Sequence, residues 1–201
     1  MIAQSESILN DTRERLLRAA TDAFFTEGYG ASMDGIAGRA MVAKQTLYNH
    51  FSGKEALFGE VVRNATQSIL VALDGSTSDI RAALIQFANA YRGATLTPSG
   101  IAIFRILMAE AQRFPTLARA VYDAGLGQTL RQVAVFIDQN MNAGRLRRDD
   151  PALASEIFMG MLMGIDRIRC ILGVANATAV LDEVKSANIV DNFLRAYAPA
   201  N

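Results

Sequence analysis

Ala40-Met41-Val42-Ala43-Lys44-Gln45-Thr46-Leu47-Tyr48-Asn49-His50-Phe51 is the stretch whose reading decides the fold. Val42, Leu47 and Phe51 form an apolar stripe at helical spacing, and Ile36, Ala37 and Ala40 form another just before it. Two short helices crossing over one shared core need both stripes. Between the apolar positions lie Lys44, Gln45, Thr46, Tyr48, Asn49 and His50. These are long or planar hydrogen-bonding groups, the types that reach phosphates and base edges in a major groove. The stretch therefore reads as the turn and second helix of a helix-turn-helix.

Outward from it the periodicity stays helical. Asp11, with Glu14 three positions on, is expected to cap a first helix that buries Leu16, Ala20, Ala23 and Phe24 and ends at Gly28. Ser32 caps a second helix from Met33 to about Ala40, and a third spans 44–50. Ser52-Gly53-Lys54-Glu55 opens a fourth that carries Leu57, Phe58, Val61 and Val62 inward. The polar break Asp74-Gly75-Ser76-Thr77-Ser78 reads as a domain boundary. Beyond it, Leu84, Phe87, Ala88 and Tyr91 share a face, and Pro98 and Pro115 each suit the first turn of a helix. Asp150-Pro151 caps a helix reaching Leu172 that is apolar nearly all round, so a second subunit is expected to cover part of it. A last helix is expected from about Ala179 to Tyr197. No strand-like alternation occurs, and the expected fold is all-α.

Composition narrows the function. Of the 201 residues 51% are hydrophobic and 20% charged, which suits a buried core and argues against disorder. No apolar run reaches the roughly 18 residues of a membrane span, and the start Met1-Ile2-Ala3-Gln4-Ser5-Glu6 lacks a basic segment followed by an apolar one, so a cytoplasmic location is expected. Cys170 is the sole cysteine, set in the apolar run Ile168-Arg169-Cys170-Ile171-Leu172, and reads as a small buried hydrophobe. His50 is the sole histidine, so a metal centre has no ligands to converge on it. No nucleophile-base-acid motif is recognisable, and neither enzyme activity nor a cofactor is expected.

The formal net charge is zero, and up to Arg63 there are seven basic against eight acidic side chains. This weighs against nucleic acid, because phosphate neutralisation supplies much of the affinity in such complexes. The reading therefore relies on the face presented, with Arg39, Lys44 and Lys54 flanking the third helix, and on a dimer to compensate for modest affinity per monomer.

Residues 12–65 resemble the DNA-binding domain of the TetR family of transcriptional regulators. The resemblance runs from Arg13-Glu14-Arg15-Leu16-Leu17-Arg18-Ala19-Ala20 through Phe24-Phe25-Thr26-Glu27-Gly28-Tyr29 and Ser32-Met33-Asp34-Gly35-Ile36-Ala37 to Leu47-Tyr48-Asn49-His50-Phe51-Ser52-Gly53-Lys54-Glu55-Ala56-Leu57-Phe58. It implies groove or phosphate contacts from Lys44, Gln45, Thr46, Tyr48, Asn49 and His50, a phosphate contact from Lys54 at a helix N-terminus, and a capping and phosphate-touching role for Ser32. Leu47 and Phe51 should face inward. Two positions depart from the family pattern: Met41 stands where the turn usually has a small residue, commonly glycine, and Ala43 where the third helix usually has a serine or threonine cap.

Residues 75–199 form the second expected domain. Within it, Phe104-Arg105-Ile106-Leu107-Met108-Ala109-Glu110-Ala111-Gln112-Arg113-Phe114-Pro115 and Gly144-Arg145-Leu146-Arg147-Arg148-Asp149-Asp150-Pro151 resemble the AefR-type ligand domain of one branch of the family. The resemblance implies an effector cavity, expected among Phe87, Tyr91, Phe104, Met108, Tyr122, Phe136 and Met163, with Arg105, Gln112 or Tyr91 as polar anchors for a small apolar molecule. Gly160 and Gly164, one turn apart, allow close approach of another helix, and with Val190 and Phe193 they are the expected dimer contacts. The whole then reads as a homodimeric, ligand-responsive repressor of a palindromic double-stranded DNA operator. The alternative is a helical small-molecule-binding or interaction protein that has lost DNA binding, for which zero net charge and Ala43 speak.

Overall fold

The computed structural model describes residues 2–70, 73 and 79–199. The boundary read at 74–78 lies outside the described residues. Eleven α-helices are described: α1 (Ile2–Glu27), α2 (Met33–Arg39), α3 (Lys44–His50), α4 (Lys54–Leu70), α5 (Ile80–Thr95), α6 (Pro98–Glu110), α7 (Pro115–Ala124), α8 (Leu126–Asn142), α9 (Pro151–Ile171), α10 (Ala177–Val180) and α11 (Glu183–Ala196). There is no strand among the described residues, and the fold is all-α. The chain divides into two compact units, one of residues 1–64 with Ala102–Ala124, the other of Ala65–Ile101 with Gly125–Asn201.

In the first unit most of the expected apolar positions are removed from water, Val42 and Val62 only in part. Leu16, Ala20, Ala23 and Phe24 of α1, Ile36 and Ala37 of α2, Leu47 of α3 and Leu57, Phe58 and Val61 of α4 are all buried, joined by Leu117 and Val121 of α7. The Phe24 and Phe58 rings meet edge to face, with centroids 4.7 Å apart. Such pairs add about 0.5–1.5 kcal/mol beyond their burial. Asp11 does not cap α1, which is already helical from Ile2. No glycine or proline interrupts 2–27, so the helix continues through Asp11, whose carboxylate instead sits 3.9 Å from Arg15 one turn on. Gly28, at φ +68°, ends α1 and opens the short 3₁₀ turn Gly28–Gly30.

In the second unit Asp79 caps α5 by accepting from the Ala82 N–H (3.1 Å), and α5 buries Leu84, Phe87, Ala88 and Tyr91. Phe87, Phe158, Phe193 and Tyr197 form a continuous run of ring contacts at centroid distances of 4.6–6.2 Å. Asp150 accepts from the N–H groups of Ala152 (2.8 Å) and Leu153 (3.4 Å), with Pro151 pre-set in the first turn of α9. α11 starts at Glu183 and not near Ala179, because Asp182 provides its cap and accepts from the Val184 N–H (2.8 Å). The preceding residues close into α10, capped by Asn176.

α9 is broken at Gly164, where φ 42° and ψ −140° interrupt the helical ladder. Beside the break lies a buried polar node. Arg92, 1% exposed, donates to the carbonyls of Leu162 and Val180 and to Asp166 Oδ2 (2.9 Å). Asp166, 2% exposed, also accepts from Lys185 and Arg169. Burial would push its carboxyl up, but the hydrogen bonds from Lys185 and Arg92, reinforced by their charges, outweigh that and hold it below the usual carboxylate range.

Candidate nucleic-acid interface

The turn between α2 and α3 has a recognisable hydrogen-bond pattern. The Val42 N–H reaches back to Ala37 O and the Met41 N–H to Gly38 O, each at 3.0 Å. This is the paired bonding of a Schellman helix end, with residue 41 in the left-handed position. Met41 has φ +53°, the one non-glycine residue with positive φ among those described, and its side chain is 81% exposed. The departure seen in the sequence is thus a residue held in the conformation that glycine serves at least cost. Ala43 is extended (φ −66°, ψ 146°) and offers no side-chain cap, yet α3 forms from Lys44 to His50. Leu47, 0% exposed, and Phe51, 4% exposed, anchor it from below.

With those two side chains inward, α3 presents Lys44, Gln45, Tyr48 and Asn49 to solvent, while Thr46 and His50 are half-buried. Gln45 Nε2 donates to Asn49 Oδ1 (3.1 Å), linking the two amides one turn apart on the same face. Lys44 Nζ pairs with Asp34 in the first turn of α2 (2.8 Å), and that hydrogen bond, with the Asp34 charge, raises the lysine above its usual range. Ser32 accepts from the Gly35 N–H (2.9 Å) and is the expected cap of α2, exposed at its end. Ser32 and Lys44 therefore stand at two neighbouring helix starts on one unit.

The charge distribution corrects one expectation. Arg39, Lys44 and Lys54 do not form a free basic face: Arg39 pairs with Glu27, Lys44 with Asp34, and Lys54 Nζ donates to the Tyr29 carbonyl (2.7 Å) while lying over the Tyr29 ring (4.8 Å). Glu27 and Asp34 reach across from neighbouring helices to Arg39 and Lys44, a pairing invisible to sequence counting. Lys54 thus ties the start of α4 to the loop after α1.

Sequence reasoning passed over two residues of structural weight. Arg15 on α1 reaches under the turn, its Nη2 donating to Ala40 O (2.7 Å) and Met41 O (3.2 Å). Nothing in the linear pattern marks it. Arg92 in the second unit was hidden by its type, since an arginine on an apolar face is expected to snorkel to water.

The expected effector residues are divided between the units. Phe87, Tyr91, Phe136 and Met163 are buried together in the core of the second. Phe104, Arg105, Met108, Gln112 and Tyr122 belong to the first. Met108 is 65% and Tyr122 47% exposed, and Arg105 and Gln112 are exposed as well, because α6 and α7 turn Ile103, Ile106, Leu107, Leu117 and Val121 toward the core instead. Two clefts of about 580 and 640 Å³ lie on the first unit, sharing Ser52, Glu55, Ala56 and Ala120, and none of the nine expected residues lines either.

The expected dimer contacts divide too. Val190 and Phe193 are 0% exposed, buried in the protomer's own core, and cannot touch a partner. Gly160 and Gly164 are exposed, and Leu153, Ile157 and Ile168 at the same helical spacing are exposed beside them, although the break at Gly164 replaces the uninterrupted helix expected there. Cys170 is buried, as its apolar surroundings implied.

Residues 16–61 match the profile described as "Bacterial regulatory proteins, tetR family", and residues 82–199 the one described as "AefR-like transcriptional repressor, C-terminal domain". A solved TetR-family transcriptional regulator from Mesorhizobium loti is 30% identical, with 94% of this chain and 98% of that one covered and a TM-score of 0.77. The flavonoid-responsive regulator FrrA is 32% identical over the same shares of the two chains, with a TM-score of 0.73. The HTH-type transcriptional activator FasR of Mycolicibacterium smegmatis is 40% identical over 62 residues, which span 30% of this chain and 28% of FasR.

Proposed function

Because the chain belongs to the TetR family and is a DNA-binding transcriptional regulator, we propose that it works as a homodimeric repressor released from a palindromic operator by a small apolar effector. The observation that carries the DNA-binding part is α3, whose inward face is Leu47 and Phe51 and whose solvent face is Lys44, Gln45, Tyr48 and Asn49. The missing cap at Ala43 does not prevent that helix from forming, which removes one of the two reasons to favour a protein that has lost DNA binding, the zero net charge being the other. Ser32, Thr46, His50 and Lys54 complete the proposed contact set, with Lys54 also holding Tyr29.

Repression in preference to activation rests on the AefR-like repressor description covering 82–199, whereas the likeness to the activator FasR covers only 62 residues. We assign DNA reading to 12–65 and effector response and dimerisation to 75–199. Residues 102–124 fall in the effector part by sequence and in the first unit by packing, and so are the natural route of the signal. The dimer is proposed through α9, where Leu153, Ile157, Ile165 and Ile168 are each at least 42% exposed. A row of that kind is costly to leave in water.

For the effector the reading now rests on Phe87, Tyr91, Phe136 and Met163 of the second unit, with the Tyr91 hydroxyl, which accepts from Arg167 (3.3 Å), as a polar group among them. The flavonoid response named for FrrA supports a small, largely apolar aromatic ligand. We propose no chemistry on that ligand, no cofactor and a cytoplasmic site of action. No helix of the described residues is long and apolar enough to cross a membrane.

Footprinting on the DNA upstream of the protein's own gene tests the reading. Two protected patches about one helical turn apart, roughly 34–36 Å, are expected, with protection lost on adding members of a panel of flavonoids and simple phenols. A single patch would contradict the dimer, and protection unchanged by the whole panel would contradict the effector class.

A further inference from the structure

We propose that Arg15, which does not belong to the recognition helix, is a positioning residue for DNA reading: it clamps the strained turn that sets the angle of α3. The inference rests on the DNA-binding reading of α3 and deepens it. In a Schellman helix end the two backbone bonds satisfy the third- and second-last carbonyls of the helix and leave those of the last helical residue and the cap residue open. Here the cap carbonyl is Ala40 O, and Arg15 Nη2 takes it at 2.7 Å together with Met41 O of the turn at 3.2 Å. Asp11, one turn earlier on α1, lies 3.9 Å from Nη1 as a loose ion pair.

The need for such a clamp follows from two neighbouring residues. Met41 sits at φ +53°, where a side chain disfavours the left-handed conformation and glycine would not. On the other side of the turn Ala43 provides no side-chain hydrogen bond to fix the start of α3. The turn thus lacks both local devices that ordinarily define it, and Arg15 fixes it from a third helix. Its charge also lies at the carbonyl end of α2, where a cation is favoured. If the turn relaxes, α3 keeps Leu47 and Phe51 in the core but loses its fixed orientation, so base-edge contacts suffer while diffuse attraction to phosphates persists.

The test uses full-length protein and a duplex enriched from a random pool by the wild type, with unrelated duplex as the non-specific reference. Arg15→Ala should weaken binding to the enriched duplex about tenfold or more, the loss expected of a charged hydrogen-bond donor, and leave unrelated duplex and the salt dependence unchanged. Arg15→Lys, which reaches less far and lacks the planar fork, should lose most of the same affinity although its charge is kept. Met41→Gly should restore most of the loss in Arg15→Ala, because glycine adopts the left-handed turn without help.

A direct phosphate contact by Arg15 predicts otherwise: equal loss on both duplexes, a salt slope reduced by about 0.9, retention in Arg15→Lys and no rescue by Met41→Gly. That pattern would overturn the proposal. So would full affinity in Arg15→Ala. If Arg15→Ala lowers helicity, Arg15→Lys and Met41→Gly in the Arg15→Lys background decide the matter by the same comparison. A wild type that enriches no sequence would count against the DNA-binding reading of α3 and not against the clamp.

Discussion

Replacing Arg92 by methionine keeps most of the stem volume and removes the guanidinium from the node beneath the α9 break. Three acceptors lose a donor: Leu162 O, Val180 O and Asp166 Oδ2. Removing one member of a buried ion pair costs about 3–5 kcal/mol, and an orphaned buried carbonyl about 1–3 kcal/mol. Asp166 keeps Lys185 and Arg169, which are 40% and 51% exposed and compensate in part. A net loss of about 4 kcal/mol is therefore expected, a large share of a typical stability of about 5–15 kcal/mol. With a urea slope of about 3 kcal/mol/M the midpoint should fall by about 1.3 M, read by circular dichroism at one fixed protein concentration. The double variant Arg92→Met, Asp166→Leu should recover part of that, since apolar residues often replace a buried pair at little cost, while Lys185 is free to turn to water. A single variant whose midpoint stays within about 0.3 M of wild type would refute the claim that this node holds α9.

Other outcomes follow from the same contacts. Gly100→Ala should lower the melting temperature by several degrees, because a Cβ there would lie 2.4 Å from Ala94 O and 2.7 Å from Thr95 O, an overlap costing about 1–3 kcal/mol; an unchanged melting temperature counts against that close approach. The paired change Ile165→Glu, Ile168→Glu should convert dimer to monomer in sedimentation with helicity preserved, whereas an undiminished dimer places the interface elsewhere. Asp166, held below its ordinary range, contributes stability that is fully present above about pH 4, near the unfolded carboxylate value, and is lost as pH falls through the lower folded value. Asp166→Asn should accordingly flatten the acid limb of urea midpoint against pH, and an unaltered limb would show that other carboxylates set it.

The helix-turn-helix was legible because short-range rules governed it. Ser32 caps α2, Gly28 ends α1, and Leu47 and Phe51 turn inward, all from spacing and local chemistry. Met41 stood out in the sequence as a departure and in the structure as the left-handed residue of the turn. What spacing did not reveal was contact between distant segments. Arg15 meets residues 25 and 26 positions away, Arg92 meets partners 70 to 88 positions away, and both choices depend on packing. The effector set was divided for a related reason: periodicity placed Met108 and Tyr122 on apolar stripes, but α6 and α7 bury other residues of those stripes. Val190 and Phe193 were correctly read as apolar and assigned to the wrong surface, since a protomer core and a dimer seam look alike in one sequence.

The central claim is that the solvent face of α3 reads DNA, and the binding of the Lys44→Ala, Tyr48→Ala variant to an enriched duplex tests it most directly. Both side chains are exposed and neither supports the core, so circular dichroism and dimer mass should match the wild type. Fluorescence anisotropy should show specific binding lost, with at most the weak, salt-sensitive attraction to unrelated duplex remaining. Wild-type affinity for the enriched duplex in that folded, dimeric variant would contradict the account.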